Sequence, residues 1–322
     1  MKDQDLVYAI YQYGSFSRAA DELFISQSSL SMAIQRIENE LGIPLFDRKR
    51  HPICLTEAGQ EYIRCYQKIK PIEDDMLARL RDMIDLKTGR LVLGGTNYLL
   101  SYVLRDCVCR FMQEHPGVDM QIAEAPSEAF SGLLHDCKID LCLKCDINDP
   151  REQSISHAFY DHLLLAVPKR MAAERKLGGE PLSVADVQKN VFVPSEHFFR
   201  TEDIEKITFL QLTPGNNLYK RSEMIFEELG CKPRRILHFQ QFVTTYNFAS
   251  AGLGGTLTST SLIRQLGERE LVFYTLPSKL MIRDFHFITR KDAYISYAAM
   301  AFCKMFLEMN EQRKPASVPQ AD

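Results

Sequence analysis

Residues 14–59 read GSFSRAADELFISQSSLSMAIQRIENELGIPLFDRKRHPICLTEAG. Here Leu30, Ile34, Ile37 and Leu41 recur at the spacing of one helix face. Gln27, Ser28, Ser31 and Gln35 fall largely on the opposite side. Ser26 is placed to cap this helix, Gly42 to stop it, and Pro44 prevents its continuation. Upstream, Leu6, Ala9, Ile10 and Tyr13 form another helical stripe, which ends at Gly14. Ser17 can cap a second helix from Arg18 to Leu23, whose Ala19–Ala20 pair lets a neighbouring helix approach closely. Phe24, Ile25 and Ser26 make the turn into the third helix.

Three short helices with a tight turn before the third match helix-turn-helix geometry, in which the second helix of the motif lies in the major groove. Ser17, Gln27, Ser28, Ser29, Ser31 and Gln35, with Met32 among them, are the candidate DNA contacts, because short polar side chains reach base edges and phosphates. Leu45–Phe46 and Ile53–Leu55 read as two short strands. Arg48, Lys49, Arg50 and His51 lie in the turn between them, a basic wing placed to touch phosphates or a minor groove. The plain alternative is a solvated polar helix face beside a solvated basic turn. Residues 1–60 carry six basic side chains (Lys2, Arg18, Arg36, Arg48, Lys49, Arg50) against eight acidic ones. Any DNA affinity must therefore come from locally placed charge or from dimerisation.

Over its whole length this stretch resembles the DNA-binding domain of LysR-type transcriptional regulators. The matching positions are Gly14-Ser15-Phe16, Ala19-Ala20, Leu23, Ser26-Gln27, Ser31, Ile34, Glu38, Leu41-Gly42, Leu45-Phe46, Arg48, Thr56 and Gly59. Many family members carry Pro and Ala after the Ser-Gln, where this chain has Ser28 and Ser29. Many also carry Arg after the recognition-helix serine, where this chain has Met32. Fold and DNA binding carry over with the resemblance; the base preference does not.

Residues 57–87 read as one long helix. Ile69, Ile72, Met76, Leu80 and Met83 form its apolar stripe, with Leu77 and Ile84 beside it, and Pro71 should kink it. Thirty residues of helix span roughly 45 Å, long for a helix packed on its own small domain. A seam between two protomers fits better, and the resemblance implies that role.

Behind it, strand and helix alternate. Residues 90–95 form a strand, and Thr96-Asn-Tyr start a helix, continued over 101–115. Strands at 120–123, 139–143 and 162–167 enclose a helix at 128–135. A second set follows, with strands at 190–193, 235–239 and 255–257 and helices at 218–229 and 243–251. Strands at 271–276 and 285–289 and a helix at 296–309 close the chain. This alternation means an α/β fold with a largely parallel sheet. It resembles the family's two-subdomain effector domain, a relative of type 2 periplasmic binding proteins, with crossings near Leu165 and Gly267. The expected division is 1–60 (winged helix-turn-helix), 61–88 (linker and dimerisation helix), 89–164 with 268–311 (first effector subdomain), 165–267 (second) and 312–322 (disordered tail).

Ligands of open α/β sheets bind beyond the carboxyl ends of strands. Thr96 and Asn97 sit where the first strand passes into a helix, and free N–H groups there attract an anion. Ser101, Ser127, Ser195 and Thr244 complete the candidate effector site. The plain reading is that each is an ordinary helix cap.

Other chemistry finds little support. Gly252-Leu-Gly-Gly-Thr lacks a full dinucleotide fingerprint and reads as a tight helix-to-strand turn. Cys142 and Cys145 form C-x-x-C on a strand, where residues three apart face opposite sides, so no metal site is expected. The scattered histidines assemble no catalytic triad, and no cofactor is expected. An enzyme would need a catalytic group in the cleft, and a plain ligand-binding module would leave the first sixty residues unexplained. The start MKDQDLVYAI has no basic segment followed by an apolar run, and no apolar run reaches the roughly 18 residues of a membrane span. With nine cysteines, an odd number, and no export signal, the expectation is a cytoplasmic protein with reduced thiols; the net charge of −3 by itself points to neither nucleic acid nor membrane. Its expected partners are double-stranded DNA, a small anionic effector, a second copy as homodimer or homotetramer, and the transcription machinery.

Overall fold

Three helices, α1 (Asp3–Tyr13), α2 (Phe16–Glu22) and α3 (Gln27–Leu41), open the computed structural model, which describes residues 3–48, 52–84, 89–145, 149–189, 198–267 and 269–310. Leu6, Val7 and Ile10 of α1, Ala19 and Ala20 of α2, and Leu30, Ile34 and Ile37 of α3 share one buried core. Tyr13 and Leu41, expected on these inner faces, are exposed instead. Each sits at the last turn of its helix, where the stripe runs off the edge of the core. Ser15, not Ser17, caps α2, its hydroxyl accepting from the Arg18 N–H. Ser26 caps α3, accepting from the Ser29 N–H at 3.1 Å, and Gly42 ends it in the left-handed conformation.

The wing is shorter than expected, with β1 (Phe46–Asp47) antiparallel to β2 (Cys54–Leu55). Its base is rigid. Thr56 Oγ1 donates to the Pro44 carbonyl at 2.7 Å and accepts from the Gly59 N–H at 3.0 Å. A Cβ on Gly59 would lie 2.1 Å from the Leu45 carbonyl oxygen, so only glycine fits there.

Helix α4 (Glu57–Ile84) continues through Pro71, and the chain divides within it, between Leu77 and Ala78, into two compact units. Ile63 and Tyr66 are buried in the first. Ile69, Ile72, Met76, Leu77 and Leu80 are 41–69% exposed. The Met83 side chain lies outside the described residues.

The second unit is built on strands β3 (Gly89–Gly95), β4 (Val118–Glu124), β5 (Leu141–Cys145), β6 (Glu152–Pro168), β7 (Thr208–Leu212), β8 (Arg235–Phe239), β9 (Thr256–Ser259), β10 (Leu271–Tyr274) and β11 (Ile282–Arg290). The main sheet runs β10-β6-β11-β5-β3-β4, with β9 also on β6, and β7 pairs with β8. It is mixed rather than largely parallel: β3–β4, β3–β5 and β7–β8 are parallel, while β11 meets β5 and β6 antiparallel, as do β9 and β10 with β6.

β6 is the joint. Up to His162 it pairs with β11; from Leu163 onward it pairs with β9 and then β10. The partner change lies close to the expected Leu165. The second crossing is later than Gly267, because β10 still belongs with the far half of β6 and only β11 returns to the first subdomain. The strand expected at 190–193 lies outside the described residues, and the partner of β8 is β7, which alternation had not singled out. The first helix of the unit starts at Asn97 and passes through a π-helical turn, Leu100–Leu104, before Arg105–Glu114.

The Gly252–Gly255 segment is the helix-to-strand turn expected of it. A Cβ on Gly254 would meet the Thr208 carbonyl oxygen at 2.1 Å. Cys142 packs in one core cluster with Val92 and Phe130, and Cys145 in the other, in keeping with opposite faces of β5. Burial pushes the Cys142 thiol up to about 12. All nine cysteines are free thiols.

Candidate nucleic-acid interface and effector cleft

The outer surface of α3 is polar and open. Gln27, Ser28, Ser29, Met32 and Gln35 are exposed and Ser31 is half-buried. Ser17 Oγ donates to Gln27 Oε1 at 2.9 Å, tying α2 to the start of α3. Ser26 Oγ lies within hydrogen-bond distance of the Ser28 and Ser29 hydroxyls, at 2.9 and 2.7 Å. Ser17 and Gln27 thus tie α2 to α3, Ser26, Ser28 and Ser29 share their hydroxyl contacts, and one core holds both helices. Phe24, in the turn, is 95% exposed with a φ of 55°.

Arg48 does more than extend from a wing. Its Nη2 donates to Glu38 Oε2 at 3.0 Å, and its guanidinium lies 5.4 Å from the Phe16 ring centroid. Glu38 Oε1 also accepts from the Leu45 and Phe46 N–H groups at 2.8 and 3.2 Å. Glu38 therefore fastens the wing to α3 and holds Arg48 against it. Lys49 and Arg50 lie outside the described residues.

In the second unit a cavity of about 90 Å³ is lined from both subdomains. Thr96, Asn97 and Ser127 line it, as the sequence anticipates. Thr96 Oγ1 accepts from the Leu99 N–H at 3.3 Å, which leaves its hydroxyl hydrogen to donate elsewhere. Ser101, inside the π turn, and Thr244, two residues into the helix that starts at Phe242, are half-buried and do not line the cavity. Ser195 lies outside the described residues.

Sequence reasoning missed most of the far wall, Asn216, Asn217, Gln240, Gln241 and Phe242, and missed the two cations Lys144 and Arg283. No acidic side chain lines this cavity among the described residues. A wider opening of about 540 Å³ adjoins it, sharing Ser127, Lys144 and Asn217.

The two cations differ in what holds them. Lys144 Nζ donates to both carboxylate oxygens of Glu152 at 2.9 Å and to Ser131 Oγ at 3.2 Å. Arg283, 6% exposed, grips the fully buried Asp161 through Nε at 3.1 Å and through Nη2. Burial works against the Arg283 cation, but the Asp161 carboxylate more than offsets it and keeps the guanidinium charged. The rings of Tyr98, Phe242 and Phe285 lie 5.1–5.9 Å from it. Removing one partner of such a pair strands the other charge, at a cost of roughly 3–5 kcal/mol.

Comparison with known proteins bears on both units. Residues 1–60 match the model of the bacterial regulatory helix-turn-helix protein, lysR family. Residues 85–201 and 190–311 match the LysR substrate binding domain. A probable RuBisCO transcriptional regulator of Cyanidioschyzon merolae is 25% identical over 311 residues, covering 94% of this chain and 95% of that protein. Similar folds include full-length BenM (21% identity, 99% of this chain and 100% of that one, TM-score 0.55). They also include full-length CbnR complexed with its target DNA (18%, 96% and 99%, 0.57) and a full-length OxyR from Pseudomonas aeruginosa (15%, 99% and 99%, 0.65). With family matches spanning both units, an exposed polar recognition helix and a two-walled cavity, the chain belongs to the LysR family and is a DNA-binding transcriptional regulator with an effector-binding domain, not an enzyme.

Proposed function

We propose that the protein acts in the cytoplasm as a homodimer, able to pair into a homotetramer, whose hold on double-stranded DNA answers to a small anionic metabolite. The observation that carries the anionic reading is the cavity wall, which has two cations, several neutral hydrogen-bonding groups and no carboxylate among its described residues. Thr96, Asn97 and Ser127 supply fixed hydrogen bonds to such a ligand, with Ser101 and Thr244 off the cavity wall and Ser195 kept as a candidate contact.

On the DNA side, Ser28, Ser31, Met32 and Gln35 face base edges, with Ser17, Gln27 and Ser29 around them. Arg48, Lys49 and Arg50 hold the backbone. Exposure of this face and its shared hydrogen bonds support that assignment. The dimer seam is Ile69, Ile72, Met76, Leu80 and Met83 of α4. Support comes from the exposure of the first four, since covering such side chains stabilises by roughly 1.5–3 kcal/mol each when burial is complete. The functional division is 1–60 for DNA, 61–88 for pairing and the remainder, to 311, for sensing, with the tail 312–322 outside it. Contact with the transcription machinery follows from the family's role.

A ligand shifts the regulator only as far as it binds one arrangement of the subdomains better than another. The test is to incubate the full-length protein with a mixture of small organic acids and their neutral amides and identify by native mass spectrometry what stays bound. Retention of an acid supports the proposal. Retention of neutral compounds alone would refute the anionic effector.

A further inference from the structure

Resting on the reading of this cavity as the effector site, we infer that Arg283 is its anion anchor and that the Asp161–Arg283 pair transmits occupancy to the joint between the two subdomains. The class of ligand this selects is a small carboxylate.

Lys144 has spent its three donors on Glu152 and Ser131. Arg283 has not. Its Nε and Nη2 go to Asp161 Oδ2, while Nη1 makes no hydrogen bond among the described residues and is not a sealed-off polar atom. The side chain is more than nine-tenths buried and lines the cavity, so Nη1 is the donor left for a ligand there. A carboxylate matches it, since guanidinium N–H groups favour planar oxyanions. Phe242 and Phe285, which also line the cavity, offer apolar surface to the body of the acid.

The partner of Arg283 is what makes it more than an anchor. Asp161 and Arg283 face one another across the β6–β11 ladder, one residue before the last pair of that ladder and two before β9 takes over. Asp161 Oδ2 is held by Arg283 of the first subdomain. Asp161 Oδ1 is held by the second, accepting from Ser259 Oγ at 2.9 Å, Thr260 Oγ1 at 3.2 Å and Ser261 N–H and Oγ at 3.3 and 3.1 Å. Tyr98, next to Asn97 on the cavity wall, closes the circuit with Ser259 Oγ at 2.6 Å. One carboxylate thus joins the subdomains, and the guanidinium it shares is the group that meets the ligand. An anion on Nη1 competes with Asp161 for the same positive charge. It changes how strongly Asp161 binds each side of the joint, and by linkage the preferred arrangement of the two sides changes the affinity for the anion.

The test uses the full-length chain with acetate, butanoate, benzoate and succinate, each beside its neutral amide, read by thermal shift and calorimetry. A duplex selected from a random pool reports DNA affinity with and without acid. At least one acid should raise the melting temperature while its amide does not. For that acid, Arg283→Lys, which keeps the charge but loses the fork, should weaken binding about tenfold or more. Ser261→Ala should keep acid affinity within about threefold and lose most of the acid's effect on DNA affinity, a separation that general loosening would not produce. Both substitutions are mild enough to carry the test if Asp161→Asn fails to fold. If Arg283→Lys binds the acid as the wild type does, the anchor is wrong. If Ser261→Ala responds as the wild type does, the transmission is wrong. If no acid binds the wild type, or amides bind equally, the anionic reading of the cavity falls first and this inference with it.

Discussion

The Asp82 carboxylate accepts the backbone N–H of Tyr297 at 3.0 Å. This joins the last turns of α4 to the first turn of the closing helix, Tyr297–Asn310. The same oxygen accepts the Tyr294 hydroxyl at 3.0 Å, and Arg79 lies 4.5 Å from the Tyr294 ring centroid. The end of the linker helix is therefore held by the effector unit through a cap. Asp82→Ala should cost about 1 kcal/mol, the ordinary loss for a helix cap. In a domain of this size that lowers the melting temperature by roughly 2–4 °C. Asp82→Asn, which can still accept both bonds, should lose less; thermal melts of the two variants decide it.

Gly59→Ala should disable the DNA-binding unit. The added Cβ meets the Leu45 carbonyl oxygen at 2.1 Å, a backbone atom that cannot move without undoing the base of the wing. A destabilisation of about 3 kcal/mol or more is expected. DNA binding should be lost while the second unit keeps its own melting transition in calorimetry. Retained DNA binding would contradict the geometry.

The proposed dimer seam predicts the behaviour of Met76→Glu combined with Leu80→Glu. Both side chains are about half exposed in one chain, so the monomer should fold normally. Two carboxylates in an apolar seam have no partner to offset their desolvation. Sedimentation should show monomer, with weakened DNA binding. An intact dimer that still binds DNA would place the seam elsewhere.

Acid should destabilise the effector unit through His162, the last residue of β6 to pair with β11. Burial holds its imidazole below the usual range. Its proton is therefore taken up more readily by the unfolded chain. The stability it contributes is full above the ordinary histidine pKa, near 6.5, and is lost as pH falls below it. Melting temperatures followed from about pH 8 down to about pH 5 should decline, and His162→Gln should decline less across that window.

What could be read without coordinates was mostly local. The α3 stripe, its Ser26 cap and its Gly42 stop each depend on neighbours a few residues away. Ser17 was mistaken for the cap of α2 because both Ser15 and Ser17 suit the role, and only the release of the chain after Gly14 decides between them. The first half of β6 escaped notice because residues 152–161 show no regular alternation of buried and exposed positions and mix His157 and Tyr160 with polar neighbours. Arg283 was invisible for another reason. In the sequence it is one surface-like arginine ahead of an apolar strand, and its partner Asp161 is 122 residues away. Thr96, Asn97 and Ser127 could be found because strand-to-helix junctions announce themselves. The far wall could not, since it comes from residues near β7 and β8, and β7 itself went unrecognised.

Recognition of DNA by the open face of α3 is tested most directly by selection. The full-length wild type and its Ser31→Arg and Gln35→Ala variants would each select duplexes from a random pool. The wild type should yield one motif. Gln35→Ala should relax the preference at particular positions, with about 1–3 kcal/mol of discrimination lost there, and Ser31→Arg should select a different base or bind none tightly. An unchanged motif at unchanged affinity in both variants would contradict the assignment of this face to the major groove.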